Sequence, residues 1–600
     1  MLHRLLPRWL APAVVVVLVG LVYIAWRAPG QFVWDDSPTL CENEFPEPGV
    51  AIDPLTPHLS DRWKYGDEFG RTHPDGYRPL SWMMRRIGQA GHAAAPATTR
   101  VGLLLLNALV AGLLALAHFR LARRFTCSPV AASFAVFLLL AAMPILTGLL
   151  VLFTGIQALV LLVMCACLNS YFCYRDTGHG GWLVGVALLL LLGPWYREFV
   201  GLTAVLLVLL ELQRGQWRSP VVAVAVVGFA HALFPTALPH LAFPELPVRP
   251  VWRLGALKDQ IEFTVASNPH AWLDVAGAIR GLQWRIFLDL LNILPPTLVL
   301  LAAAGWVGSL RRRDPAEARG GLFLAGFFAV TFLPFLVVFK EQVHLAYALV
   351  PASILLAAGV ERLWRLTAEH RALRVATVAL LALAVTDHGL NPFVVRSFTR
   401  RSYATIARLT RRCEAEMKPG AVVLANPHHA WELRFLTKGK LSCFFTAMTS
   451  GNRPMLVPDP PTLQAMIDRA GDAGVYLLDA RLPVTDGQPG CDRIHWIVRD
   501  RVIDLLHYGE VAKLSFRYPV LDPLKWLLPI EVTSFPGSPD LEFDYYRGPA
   551  LDGARGVREV AVGSHLYKVV GRAVRPGPPR PVYLHRSLVR DAADDLSPAD

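Results

Sequence analysis

The sequence of 600 residues contains 8 cysteines but no Cys-x-x-Cys pair and no zinc-ligand spacing, which argues against a zinc ribbon or a redox-active dithiol. Cys165, Cys167 and Cys173 lie in or beside an apolar run, where thiols pack as small hydrophobes. Cys41, Cys413, Cys443 and Cys491 fall where they could meet an oxidising compartment, and nothing in their spacing pairs them. No clear small-x-small cleavage site follows the first apolar run, Leu10 to Trp26. That run therefore reads as an uncleaved anchor rather than a signal peptide. Nor is there the two-fold repeat of broken helices expected of a transporter. What the sequence does have is oil. Apolar residues make up 54% and the mean hydropathy is +0.39, too apolar for a soluble enzyme of this length. The net charge of +12 would suit nucleic acid. However, many arginines sit in short clusters between apolar runs, which is a mark of membrane topology and not of a basic groove.

Apolar segments recur at about 101–118, 129–143, 146–173, 181–194, 199–212, 218–241, 286–308, 320–339, 343–363 and 371–388. With the first anchor they predict about eleven membrane-spanning helices. Those at 181–194 and 199–212 are short and are expected to extend into their polar flanks. Pro144 and the Thr147/Thr154/Gly155 cluster divide one long apolar stretch into two helices joined by a tight or re-entrant turn. With the N-terminus in the cytoplasm, one set of connections carries Arg120/Arg123/Arg124, Arg175, Arg214/Arg218, Arg311/Arg312/Arg313 and Arg362/Arg365/Arg371/Arg374. Short cytoplasmic loops should be rich in arginine, and these are. The opposite face then receives the 27–100 loop, Arg197-Glu198, the 242–285 loop, Lys340-Glu341 and everything after about residue 389.

The 27–100 segment is polar and rich in Pro and Asp, and it holds Asp35, Asp36, His58, His73, Tyr77 and Arg78. Met83 to His92 has the pattern of a short basic amphipathic helix lying on the membrane surface. Trp252, Trp272 and Trp284 make the 242–285 loop read as interfacial helices. Beyond residue 390 the character becomes that of a soluble α/β or α+β domain, 391–575. Ser402–Met417 and Pro461–Ala470 read as helices, and strands are expected at 421–425, 474–478, 515–518, 542–546 and 559–570. The Pro- and charge-rich 576–600 tail reads as disordered.

Trp34-Asp35-Asp36, Tyr77-Arg78-Pro79-Leu80, Met143-Pro144-Ile145-Leu146-Thr147 running on to Thr154-Gly155, and Tyr196-Arg197-Glu198 occur in an order and on a side that resemble the GT-C superfamily. These are multi-pass glycosyltransferases using lipid-phosphate-linked sugars, and include bacterial relatives of the protein O-mannosyltransferases and the aminoarabinose transferases. The resemblance covers roughly residues 1–390. The family's usual basic residue near Ile156 is missing, and residues beyond 390 carry no tetratricopeptide pattern. The resemblance implies a GT-C-like transmembrane domain at 1–390. The Ala/Leu/Arg-rich composition suggests a bacterial source with GC-rich coding, which would place the domain in an inner membrane and make the face that carries the C-terminal domain periplasmic. The resemblance also implies transfer from a polyprenyl-phosphate donor to an extracytoplasmic acceptor. Asp35 takes the role of general base, because the first acid of the family's pair usually does.

Such chemistry needs a carboxylate to take the acceptor proton, negative charge near an oxocarbenium-like centre, and cationic groups beside the departing phosphate. Asp36 would orient the base, bind acceptor, or help hold a divalent cation together with Glu198; no other cofactor is called for. Arg78, with Tyr77, is a phosphate or loop anchor, or a salt-bridge partner of an acid such as Asp35. Arg197 and Glu198 lie between apolar runs, where ionisable residues are paired or functional. They are candidates for phosphate and for sugar or metal, or for a mutual ion pair. Lys340 and His344, near Glu341 and Tyr347 at the start of a late helix, are candidates to neutralise the leaving phosphate, or snorkel to the interface. Arg85 and Arg86 suit lipid headgroups, and His428-His429 with Glu432 suits a helix start better than a metal. Membrane lipids, the lipid-linked donor and an acceptor are the expected partners, and nucleic acid is not. A glycan polymerase or ligase, a transporter or flippase, and an inactive scaffold of the same fold are the rival readings.

Overall fold

The computed structural model describes residues 10–27, 79–150, 156–235, 237–242, 293–311, 315–338, 345–396 and 417–425, with isolated positions and short strands elsewhere. Each of the apolar segments read from the sequence falls on a helix. They are α1 (Leu10–Arg27), α3 (Pro96–Ala122), α4 (Pro129–Leu140), α6 (Ile156–Thr177), α7 (Gly180–Tyr196), α8 (Gly201–Gln213), α9 (Pro220–Leu233), α11 (Pro296–Arg311), α12 (Pro315–Val338), α13 (Ala346–Leu366) and α14 (Arg371–Gly389). Three short helices lie between them: α2 (Pro79–Ala94), α5 (Met143–Leu150) and α10 (Ala237–Ala242). Among the described residues, four helices are long and apolar enough to cross a membrane. The surfaces left exposed on several helices are aliphatic, as at Leu18, Leu105, Val227 and Val375, which suits lipid contact.

Proline sets many of the boundaries. It stands at the start of α3, α4, α9 and α11, where its fixed φ favours the first helical turn and its missing N–H costs nothing. α11 likewise begins at a proline, Pro296, inside its apolar run. The 218–241 run divides at Phe234 into α9 and α10, and the stretch around Pro144 holds a third helix, α5, ahead of α6. Of the two short segments, 181–194 extends by one residue at its start and two at its end, whereas α8 begins two residues inside 199–212 and runs one residue past it. At 13 residues α8 is about 20 Å long, and a 3-10 turn at Glu198–Val200 precedes it.

Small residues let the helices approach closely. A Cβ added to Gly112 on α3 would lie 2.5 Å from the Val16 carbonyl oxygen on α1. α11 and α13 meet through Gly305 and Gly359; a Cβ on Gly359 would come within 2.6 Å of the Ala302 carbonyl oxygen. Beside that contact, the Trp306 indole donates to the Leu355 carbonyl at 2.9 Å, and the Arg362 guanidinium lies 3.8 Å from the Trp306 ring centroid.

Polar contacts sort to two ends of the bundle. At one end Arg124 pairs with Asp176 at 2.6 Å, and the Glu361 carboxylate accepts the Cys127 amide at 2.8 Å. There too the fully buried Glu211 accepts from the Tyr171 hydroxyl at 2.7 Å and faces Arg175 at 3.6 Å. At the other end the Trp26 indole donates to the Pro392 carbonyl at 2.7 Å. His388 and Asn391 reach the carbonyls of Leu138 and Ala141 at the end of α4, and the Tyr23 hydroxyl reaches Leu149 in α5. Cys165 and Cys167 are buried free thiols of the core.

In the C-terminal region β1 (Val422–Ala425), β2 (Ser442–Phe445), β3 (Val475–Leu478), β6 (Val557–Val560) and β7 (Leu566–Val569) form a mixed sheet ordered β2-β1-β3-β7-β6. β1 is parallel to both β2 and β3, and β7 is antiparallel to β3 and β6. β4 (Arg501–Asp504) and β5 (Lys513–Phe516) pair separately. The run read as one strand at 559–570 is thus two paired strands, and β2 and β4 were not anticipated. The expected helices at 402–417 and 461–470 lie almost wholly outside the described residues, as do the 542–546 strand, the tail and most of the 242–285 loop.

Candidate functional site

Of the charged motifs, Arg197-Glu198 is the one whose surroundings are described. α7 ends in Pro194-Trp195-Tyr196, and Pro194 has no N–H to give the preceding turn. The chain then leaves the helix at Arg197, in extended geometry with φ −161 and ψ 132, while its amide still bonds Gly193 at 2.8 Å. Gly193 permits the reversal, since a Cβ there would lie 2.5 Å from a Val200 methyl carbon. Both charged side chains are consequently enclosed, Arg197 at 9% exposure and Glu198 at 9%. Ionisable groups in such a place are costly unless paired or used.

Aromatic residues wall this break. Phe199 stacks on the fully buried Tyr347 of α13, with centroids 4.9 Å apart and planes at 26°. The Arg197 guanidinium lies 5.9 Å from the Phe199 ring centroid, close enough for a cation–π contribution. Trp195 meets His231 of α9 edge-on at 5.5 Å. Four helices, α7, α8, α9 and α13, thus converge on two charged residues at the end of the bundle opposite the arginine clusters.

Next to it is an apolar groove of about 360 Å³ between α2 and α3. Met84 and Gly88 form one wall, Gly102 and Leu106 the other, and Leu159 and Tyr196 contribute from behind. α2 is amphipathic, and the absence of side chains at Gly88 and Gly102 leaves the space open. Tyr196 therefore belongs to the groove while its chain neighbour Arg197 belongs to the charged break.

The remaining predicted site residues, Asp35, Asp36, Tyr77, Arg78, Lys340 and His344, lie outside the described residues, as do His58, His73, His428, His429 and Glu432. Two neighbouring segments are described. α1 ends at Arg27, shortly before Asp35, and α2 opens at Pro79, the residue after Arg78. The late helix starts at Ala346, so Tyr347 is the one member of its expected polar start that it contains. Of the two candidate cation ligands only Glu198 is described, and among the described residues no three His, Cys, Asp or Glu side chains cluster. In the sequence, Arg197 and Glu198 are marked by charge within an apolar stretch, a signal that does not reach their surroundings. It does not reveal the Phe199–Tyr347 stack or the groove. The glycines of α2 and α3 were the available signal for the second, and the first had none. No family model matches the chain, and no curated protein matches it in sequence.

Proposed function

We propose that this protein is a multi-pass membrane glycosyltransferase of GT-C type that moves a sugar from a polyprenyl-phosphate donor to an extracytoplasmic acceptor. The observation that carries the reading is the enclosure of Arg197 and Glu198 at a break between helices. A guanidinium there suits the phosphate that accumulates charge as the sugar leaves, and a carboxylate there suits the sugar or a divalent cation. The adjoining groove is apolar, and an isoprenoid chain is the part of such a donor that an apolar slot accommodates. Asp35 serves as the general base, with Asp36, Tyr77, Arg78, Lys340 and His344 as its supporting cast. All eleven apolar helices cross the membrane. The arginine-bearing end faces the cytoplasm and the Arg197–Glu198 end the opposite side.

The test uses purified full-length protein in nanodiscs with a panel of radiolabelled polyprenyl-phosphate sugars, following release of the polyprenyl phosphate. Arg197→Gln and Glu198→Gln should each reduce turnover by about 10²–10³-fold, the scale of losing one transition-state charge contact. Gly102→Phe, which fills the groove, should instead raise KM for the lipid donor with kcat little changed. Unchanged turnover in both charge variants would sink the reading. Movement of the intact lipid-linked sugar across a vesicle, without transfer, would favour a transporter.

A further inference from the structure

Besides Glu211, two fully buried carboxylates in the described residues belong to no part of the proposed chemistry: Asp387 near the end of α14, and Asp522 far along the C-terminal region. They act on the same short segment, Leu521-Asp522-Pro523-Leu524. One Asp522 oxygen accepts from the Thr297 backbone amide at 3.2 Å, and the other from the Thr297 hydroxyl at 2.5 Å. Thr297 is in the first turn of α11, whose leading amides have no partner inside the helix. The same Asp522 side chain accepts the Leu524 amide at 3.0 Å, where Pro523 and Leu524 turn helical. The Leu524 amide also reaches the Thr297 hydroxyl at 3.4 Å. One carboxylate therefore caps its own segment and, 225 residues away in sequence, that of Thr297. Both present amide hydrogens, and a negative group between them offsets the positive character of each.

The second carboxylate completes the attachment. The Leu521 amide donates to Asp387 at 2.9 Å. Asp387 itself stands on a fixed base, because its neighbours His388 and Asn391 are bonded to the end of α4, and Trp26 of α1 to Pro392. α11 in turn packs closely on α13, the helix that supplies Tyr347 to the charged break.

We infer that Leu521–Leu524 is a clasp by which the C-terminal region of this chain docks onto the bundle end formed by α11 and α14, with Asp522 and Asp387 as its two holding groups. The docking partner is the chain's own distal segment, and the recognition is amide-to-carboxylate on both sides. Neither residue has a place in the proposed reaction, so the clasp stands or falls apart from it.

Hydrogen exchange on the full-length protein in nanodiscs, read by mass spectrometry, tests the inference. In the wild type the amides of Leu521 and Leu524 should be protected. Asp522→Ala should speed exchange at both Leu524 and Thr297 by about tenfold or more, as expected when a hydrogen bond of that kind is lost. Asp387→Ala should do so at Leu521 alone, and neither should alter the middle of α13. Should Asp522→Ala fail to fold, Thr297→Val keeps the amide and removes only the hydroxyl, and the double substitution Thr297→Cys with Asp522→Cys should form a disulfide on oxidation. Leu521 and Leu524 amides that exchange as fast in the wild type as in the variants would overturn the clasp, as would absence of the cross-link.

Discussion

Asp35→Asn should lower sugar transfer by roughly 10²–10⁴-fold, the usual contribution of a positioned general base. Asparagine keeps the size of the side chain and its ability to hydrogen-bond, but it cannot take the proton that the acceptor hydroxyl must lose. The loss should therefore appear in kcat, with donor affinity close to wild type, because the groove and Arg197 are untouched. Asp36→Asn should cost less if Asp36 only orients its neighbour. A reversed ranking would move the base to Asp36 without disturbing the reaction class. If both variants transfer sugar at the wild-type rate, the mechanism is wrong. The contrast with Arg197→Gln is informative as well. On the proposed mechanism one substitution impairs attack by the acceptor and the other departure of the phosphate, so an acceptor with a more acidic hydroxyl should rescue the first and not the second.

Gly305→Val should abolish recovery of folded protein, measured as the monodisperse fraction after extraction. A Cβ at residue 305 would overlap the Gly359 carbonyl and stand 2.8 Å from its carbon and 2.9 Å from the Leu363 amide nitrogen. Those atoms are backbone, so no rotamer change relieves the overlap, and the two helices must separate. Separation would also pull Trp306 from the Leu355 carbonyl and from Arg362. Overpacking a side chain into a core costs about 1–3 kcal/mol, and a clash with backbone belongs at or above the top of that range. Gly326→Ala on α12 is the matched control. Nothing lies within 4 Å of the added methyl group, and alanine is a better helix former by about 1 kcal/mol. Folded yield should be unchanged or higher. Equal yields for the two variants would contradict the close approach of α11 and α13.

The bundle was legible because lipid-facing helices announce themselves by composition, and proline marks where they start. Segment ends were less so. Nothing in the 146–173 run distinguishes α5 from α6 except the Thr154-Gly155 pair, and hydropathy alone merges them. Strands of four residues, such as Ser442–Phe445 and Arg501–Asp504, are too short for alternation to register. In the site, Arg197 and Glu198 stood out by charge alone. Phe199 and Tyr347 did not, because an aromatic residue in an apolar helix reads as core until its partner is known. Asp387 and Asp522 were hidden for a different reason. Each looks like an ordinary acid at a segment end, and the two meet one short segment only through contacts spanning 134 and 225 residues.

α13 is the most enclosed of the four long apolar helices, with 89% of its most apolar stretch buried, against 33% for that within 371–396 and 44% for that of α3. It packs against α4, α6, α11 and α12, yet three of these four are synthesised before residue 315. The faces that receive it have no α13 to cover them until the chain has been made as far as residue 366. α13 is thus the tie between early and late helices: it joins α11 and α12 to α4 and α6, whereas the helices made before them also pack directly on one another.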